Sequence, residues 1–396
     1  MKKVEILAPV GNMECLYAAI EAGCDAVYLG GYLFGARNFA LNFSMEELKQ
    51  AISLSHLYQV KVYVTVNTLI YEDEVETFMN YVDELVNMDV DALIIQDIGM
   101  LDLVRQTYPS LELHASTQMH IHNRKGVELA SKFGCSRVVL SRETDIDAIK
   151  EIRKNTPLEL EIFVHGALCV SYSGQCLMSS LIGGRSGNRG TCAGTCRLPY
   201  TLVKKENNNW VPVIENSYLL SMKDLNTVEH LGELIEAGVD SLKIEGRMKR
   251  PSYVYAVVSL YRKAVDQYYS TGKIKITEQE QIELKKIFNR GYTKGFLFHE
   301  KNNQITNDNR PNHIGIEVGI VIKVNGTFAT IKLNNHVSIH DGIRILGTPD
   351  IGTVLNVFKV ENQIVKEADC GDIITLKLKE PVKVGSKVLK TTDQQQ

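Results

Sequence analysis

The chain of 396 residues carries a formal net charge of −3, with 44% hydrophobic residues, 23% charged residues and eight cysteines. This balance excludes disordered and fibrous classes, and without a run of eighteen apolar residues no transmembrane helix is expected. The near-neutral charge argues against a nonspecific polyanion binder, while leaving room for a local basic patch.

In chain order, the opening MKKVEILAPVGN has lysines but no long apolar stretch, so residues 4–10 read as a first strand and not as a signal peptide. Without export the expected location is the cytoplasm. The cysteines are then thiols, metal ligands or nucleophiles and not a disulfide framework. A unit recurs from there: a helix ends at Gly or Asp and a short β-branched run follows. Its clearest copies are EAGCDAVYLGG (21–31), NMDVDALIIQD (87–97), KFGCSRVVLSRE (132–143) and EAGVDSLKIEGR (236–247). Strands at 60–67, 111–117 and 158–166 fit between them. Helical patterns separate the strands, as at 44–59, where Ser44 and Glu47 form a capping-box signature.

Eight such units in about 250 residues predict an α/β fold, a (β/α)8 TIM-like barrel, with an open doubly wound sheet as the alternative. No Gly-x-Gly-x-x-Gly follows the first strand, which weakens a dinucleotide site. In a barrel the chemistry gathers where strands end. Asn67, Gln96, Asp97, Ser116, Gln118, Arg142, Glu143, His165, Glu245 and Arg247 fall there.

The interval between the seventh and eighth strands exceeds one helix. Residues 166–225 hold a Gly- and Cys-rich insertion, then a hairpin with an Asn-rich turn. The barrel is expected over 1–270, a helical connector over 271–310, and a small all-β barrel domain over 311–396, where apolar and polar residues alternate between Asn-Gly and Asp-Gly turns.

Cys169, Cys176, Cys192 and Cys196 are spaced C-x6-C-x15-C-x3-C in a Gly- and Ser-rich matrix. Four thiols on one loop read as an iron–sulfur or metal site. The irregular spacing suits a [4Fe–4S] cluster at least as well as zinc, and unligated thiols remain an alternative. Cys15, Cys24, Cys135 and Cys370 read as buried structural thiols.

These residues carry a resemblance. Glu161 to Cys169, Ser171 to Ser179 around Cys176, Asn188 to Cys192 and Cys196-Arg197 resemble the signature of the U32 peptidase, or collagenase-like, family. So do Ser221 to Asp224, Lys243 to Lys249, and Phe288 to Gly295. The resemblance spans most of residues 1–300, and the C-terminal region is similar to the family's accessory domain. It implies a cluster on Cys169, Cys176 and Cys192, with Cys196 at the position that varies in the family. It also implies RNA or quinone hydroxylation, despite the family's name. The length is most similar to the branch that makes 5-hydroxyuridine at the wobble position of tRNA, where prephenate is an implicated co-substrate. Other branches modify a ribosomal cytidine, or work as paired subunits on a quinone ring.

Site roles follow from residue chemistry. Arg37, Arg142 and Arg247 are forks for carboxylates. Glu143, His165 and Glu245 are candidate proton-transfer groups. Lys243, Arg247, Lys249 and Arg250 form a candidate phosphate patch for tRNA. His114, His120 and His122 could suggest a metal pair, but Gln118 and Asn123 beside them favour polar packing. A peptidase is the competing reading: Cys169 and His165 could form a thiolate–imidazolium pair, although neither H-E-x-x-H nor G-x-S-x-G is present. A third is an iron–sulfur partner for a second U32-family subunit.

Overall fold

The computed structural model describes residues 3–37, 41–301, 304–347 and 350–393. The chain begins β1 (Glu5–Pro9), α1 (Met13–Glu21), β2 (Ala26–Leu29), α2 (Met45–Leu57), β3 (Lys61–Val66), α3 (Val75–Asn87), β4 (Ala92–Ile95), α4 (Ile98–Thr107), β5 (Glu112–Ala115), α5 (Arg124–Lys132), β6 (Arg137–Val139), α6 (Ile146–Arg153) and β7 (Glu159–Ala167). The insertion follows, with α7 (Met178–Gly183), the hairpin β8 (Tyr200–Glu206) and β9 (Asn209–Ser217), β10 (Asp224–Asn226) and α8 (Leu231–Glu236). Then come β11 (Ser241–Ile244), α9 (Pro251–Thr271), α10 (Glu278–Ile287) and β12 (Tyr292–Thr293).

Strands β1 to β7 and β11 are all parallel and close on themselves, with β11 pairing β1 (Glu5 opposite Ser241) and β7 (Ser241 opposite Glu161). The eight-stranded barrel expected from the repeated units is therefore present. The turns explain why the units were visible. Gly23, Asp89, Gly134 and Gly238 all adopt the left-handed conformation, at φ of 83°, 67°, 80° and 88°, just past the ends of α1, α3, α5 and α8, where a helix terminates most cheaply with such a residue. Side-chain caps start the helices: Asn12, Asp97, Asn123 and Asp145 each accept a backbone N–H, and Ser44 and Glu47 form the capping box. Asp97, expected on the rim, is in fact spent on this cap and on the Ile70 N–H.

Leu7, Ala26, Tyr28, Tyr63, Ala92 and Ile94 pack inside the barrel. Charges occupy the rest of the lumen. Arg137, 3% exposed, reaches Glu5 (2.6 Å), Glu159 (2.5 Å) and Glu161 (3.1 Å), while Lys243 meets Glu161 at 2.7 Å. Beyond β7, β10 pairs antiparallel with its last residues (Asp224 opposite Ala167), and β12 adds in parallel to β10.

Two compact units emerge, residues 1–276 with 292–311, and residues 277–291 with 312–396. The expected connector at 271–310 is thus not a connector. Helix α10 belongs to the second unit, where Ile282 packs on its core, and residues 292–311 belong to the first. The second unit holds an antiparallel eight-stranded sheet over Val318, Val321, Ile331 and Phe358. Its first hairpin turns through Gly326 and Thr327, one residue beyond the Asn-Gly centre expected, because Asn325 is already paired with Phe328. No helix among the described residues is long and apolar enough to cross a membrane.

Candidate active site at the barrel mouth

The carboxyl end of β11 supplies two of the groups at the mouth. Glu245 lies 3.3 Å from the Arg37 Nη2, with only 14% of its side chain exposed. Burial alone would raise its pKa, but Arg37, Arg142, Arg247 and Lys243 together outweigh it and hold the carboxyl below its usual range. Arg247 is 4% exposed. It donates to the Thr65 Oγ1 (3.2 Å) and the Asn42 Oδ1 (2.6 Å), and burial pushes its pKa down to about 10. It remains a cation at neutral pH. Among the described residues, its Nε and that of Arg142 have no hydrogen-bond partner. Arg142 lies over the Phe163 ring, 4.9 Å from the centroid.

Two glycines make this mouth possible. A Cβ on Gly30 would sit 2.6 Å from the Arg247 Nη2, and one on Gly11 would sit 2.1 Å from the Arg247 carbonyl oxygen. Neither was singled out from sequence, nor were Asn42 and Thr65. The Leu-Gly-Gly after the second strand was the one available signal, because a glycine at a strand end marks a close approach.

The cysteine loop leaves β7 through Gly166 (φ 102°), where a Cβ would lie 2.4 Å from the Glu245 carbonyl oxygen. Glu143 fixes its next turn, accepting from the Ser173 N–H (3.0 Å) and hydroxyl (3.1 Å). His120 Nδ1 lies 2.9 Å from the same carboxyl. Glu143 is thus a positioning residue for the loop, and His120 and His122 (ring centroids 4.7 Å apart) pack beside it as polar neighbours. Further along, the Gly194 N–H points to the Cys192 Sγ at 3.4 Å. Arg197 ties the loop's exit to the Ser221 hydroxyl (2.8 Å) and the Leu168 carbonyl (3.2 Å).

The four sulfurs share one electrostatic neighbourhood. Burial raises the Cys196 pKa first and the Arg197 charge lowers it, and thiolates at Cys169, Cys192 and Cys176 each raise it further. Charge on Cys192 and Cys169 also reaches Arg37, whose pKa is raised chiefly by Glu245 against its burial. The start of the cysteine loop, at Gly166, lies against the Glu245 backbone. A single tetrahedral zinc would draw its thiolates to about 3.8 Å from each other. Among the described residues no three of these sulfurs lie within 4.8 Å of one another. Four thiols, with a backbone N–H donating to the Cys192 Sγ, are a donor set that either a zinc ion or an iron–sulfur cluster can use.

Other expectations are corrected. His165 does not face the mouth. It is 1% exposed and packed among Tyr253, Tyr261 and Tyr292, with Nδ1 3.3 Å from the Tyr261 hydroxyl. Burial, with a small push from Lys249, drives its pKa down to about 3. It is neutral, and it is not placed to form an ion pair with Cys169. Lys243 is no surface contact for phosphate either, being 4% exposed and bound to Glu161 inside the barrel. Only Lys249, half-buried over the Tyr253 ring, and Arg250, exposed at the start of α9, remain near solvent. His114 is fully buried against Tyr63. Of the four thiols read as structural, Cys15, Cys24 and Cys135 are buried, but Cys370 is exposed.

The family model described as "Peptidase family U32" matches residues 11–307. The chain belongs to this family. The U32 chain is 39% identical over 351 residues to the 23S rRNA 5-hydroxycytidine C2501 synthase of Escherichia coli (strain K12), covering 87% of the chain but 52% of that relative. It thus spans about half the length of that protein. It is 38% identical to the tRNA hydroxylation protein P1 of Bacillus subtilis (strain 168), covering 75% of the chain and 71% of the relative. It is 33% identical to the collagenase of Porphyromonas gingivalis (strain ATCC BAA-308 / W83), covering 97% of each. The U32 match takes in the mouth, the cysteine loop, the hairpin and helix α10, and ends before the antiparallel strands of the second unit.

Proposed function

We propose that this U32 protein hydroxylates a pyrimidine of RNA, and that its target is the wobble uridine of tRNA, converted to 5-hydroxyuridine in the cytoplasm. Several relatives bear RNA-hydroxylation names. The observation that carries the reading is a loop of four mutually close cysteines, two of which, Cys169 and Cys192, act on Arg37, the partner of Glu245 at the barrel mouth. Cys169, Cys176, Cys192 and Cys196 hold a [4Fe–4S] cluster, which when bound supplies an electron path. The balanced net change is base C5–H plus water giving C5–OH, with two protons and two electrons released to an external acceptor.

The chain's own residues set the geometry. Arg142 and Arg247 keep buried Nε donors without partners among the described residues, which suits a carboxylate co-substrate such as prephenate. Glu245 is held ionised and is a carboxylate at the mouth that can take a proton there. A wobble base lies in a loop, so it reaches the mouth without leaving a duplex stack. Proteolysis through Cys169 and His165 finds no support, because that histidine is neutral and turned away.

Nucleoside mass spectrometry of tRNA with and without the gene tests the proposal. Loss of 5-hydroxyuridine derivatives on deletion, restored by this protein alone, is the expected result. Unchanged nucleosides would sink it, and restoration only with a second U32 protein would make this chain one subunit of the enzyme.

A further inference from the structure

The β8–β9 hairpin stands out from the rest of the fold. Its strands are exposed along nearly their whole length, although a lone two-stranded hairpin is marginal in water. At about 3.3 Å per residue it projects roughly 20 Å. Its base is fixed: the Tyr200 hydroxyl donates to the Thr195 carbonyl (2.9 Å), and the Ser217 hydroxyl and Tyr218 N–H donate to the Asp308 carbonyl (both 3.0 Å). Its tip is a tight turn through Asn207 and Asn208, at φ of 45° and 65°. A rigid, solvated blade thus rises four residues after Cys196.

The two faces of the blade differ. Lys205 pairs directly across from Trp210, and Val203 from Pro212, so these four share one face. On the other face Lys204 is neutralised by Glu206 at 2.6 Å. Among the regularly paired residues 203–206 and 209–212, the Lys205 face carries no carboxylate. Trp210, the single tryptophan of the chain, is 67% exposed there. Over residues 166–217 there are five cations (Arg185, Arg189, Arg197, Lys204, Lys205) against two acids (Glu206, Glu215), a local excess of three positive charges in a chain of net −3.

We propose that this hairpin is an RNA-docking arm: an unpaired base stacks on the Trp210 indole while Lys205 meets the neighbouring phosphate. The inference rests on the reading of the protein as an RNA hydroxylase and names an element that holds its substrate. An aromatic face beside an uncompensated cation is the pairing that single-stranded nucleic acid selects. The local charge excess favours a polyanion over a second protein chain.

The single tryptophan makes the test direct. Full-length protein is titrated with a wobble-containing anticodon stem-loop, following tryptophan emission and, separately, the anisotropy of labelled RNA. Saturable quenching that tracks the anisotropy is expected. Trp210→Ala should weaken binding about 10-fold or more, as for loss of one stacked base, while Trp210→Phe retains most of it. Lys205→Gln should lower the slope of log affinity against log salt by about one. Melting temperature and visible absorbance should not move, because neither side chain packs into the fold.

RNA binding without a change in tryptophan emission, or unaltered binding by Trp210→Ala, overturns the proposal. So does sedimentation showing that Trp210 is quenched by self-association instead. The outcome separates from the hydroxylation assay. Quenching by RNA with unmodified nucleosides would leave the arm standing and remove the activity, and the reverse pattern would do the opposite.

Discussion

The two ends of the barrel lumen both hold buried charge, yet they hold it differently. At the floor, Arg137 spends its guanidinium on Glu5, Glu159 and Glu161, and Lys243 closes on Glu161. At the mouth, Arg142 and Arg247 each keep a buried Nε without a partner among the described residues, and Glu245 is the carboxylate whose pKa they lower. A buried charge that is fully paired stabilises a particular packing. A buried cation with donors to spare is instead a waiting partner for an anion. The sequence pattern is the same in both places, a charged residue within or after a strand, so the difference is visible only once the partners are counted.

The sharpest way to break this comparison is at the floor. Arg137→Ala would leave Glu161 buried with one cation fewer, and Glu5 and Glu159 without their shared partner. It should cost about 3–5 kcal/mol of stability, read as a large fall in melting temperature or as insoluble protein. If Arg137→Ala melts like the parent, the floor is not structural and the contrast with the mouth collapses.

At the mouth, the cysteines should separate into two classes. Cys169→Ser, Cys176→Ser and Cys192→Ser should each abolish visible absorbance near 400 nm of anaerobically purified protein, about where such clusters absorb, and reduce hydroxylation to background. Cys370→Ser, on an exposed thiol of the other unit, should change neither. A colourless parent protein would remove the cluster from the argument altogether.

A smaller effect is expected for Arg142→Ala. Its guanidinium lies over Phe163 and makes no ion pair among the described residues, so melting should shift by less than the Arg137 substitution shifts it. A charge-assisted contact of about 1.5–3 kcal/mol to a carboxylate would raise KM for the co-substrate about 10- to 100-fold, with a smaller change in kcat. A stability loss as large as that of Arg137→Ala, with KM unchanged, would make Arg142 part of the floor's kind of chemistry.

Much of this architecture was legible in the sequence, for physical reasons. Helix C-termini that need a left-handed residue show as Gly23, Asp89, Gly134 and Gly238, and those turns set the period of the barrel. The cysteines and the Asn-rich hairpin were visible because composition changes there. The direction in which strand-end side chains point was not. In β11 the alternation holds, with Lys243 inside the barrel and Glu245 at the mouth, but in β7 the extra residue Val164 falls between Phe163 (opposite Lys243) and His165 (opposite Ile244), so His165 lies behind the wall. Alternation read along a strand fails where an irregularity interrupts it. The same limit hid Gly30, Asn42 and Thr65, whose importance is defined by Arg247, a residue far away in the chain.

His165 supplies the finest test of that assignment, because a residue behind the wall and one at the mouth respond to acid differently. Its pKa in the folded protein is pushed down to about 3 by burial among the tyrosines, against about 6.5 in an unfolded chain. Between those values only the unfolded chain takes up the proton, so folding loses stability as pH falls through 6.5 and goes on losing it toward 3. The slope approaches about 1.4 kcal/mol per pH unit, or roughly 2 kcal/mol by pH 5. His114, buried in the lumen with its pKa also lowered by burial, adds a term of the same sign. His165→Gln should therefore remove part of the slope of stability against pH between 7 and 5, and leave the pH profile of hydroxylation where it was. A profile that shifts while the stability slope stays unchanged would return His165 to the mouth as a proton-transfer group.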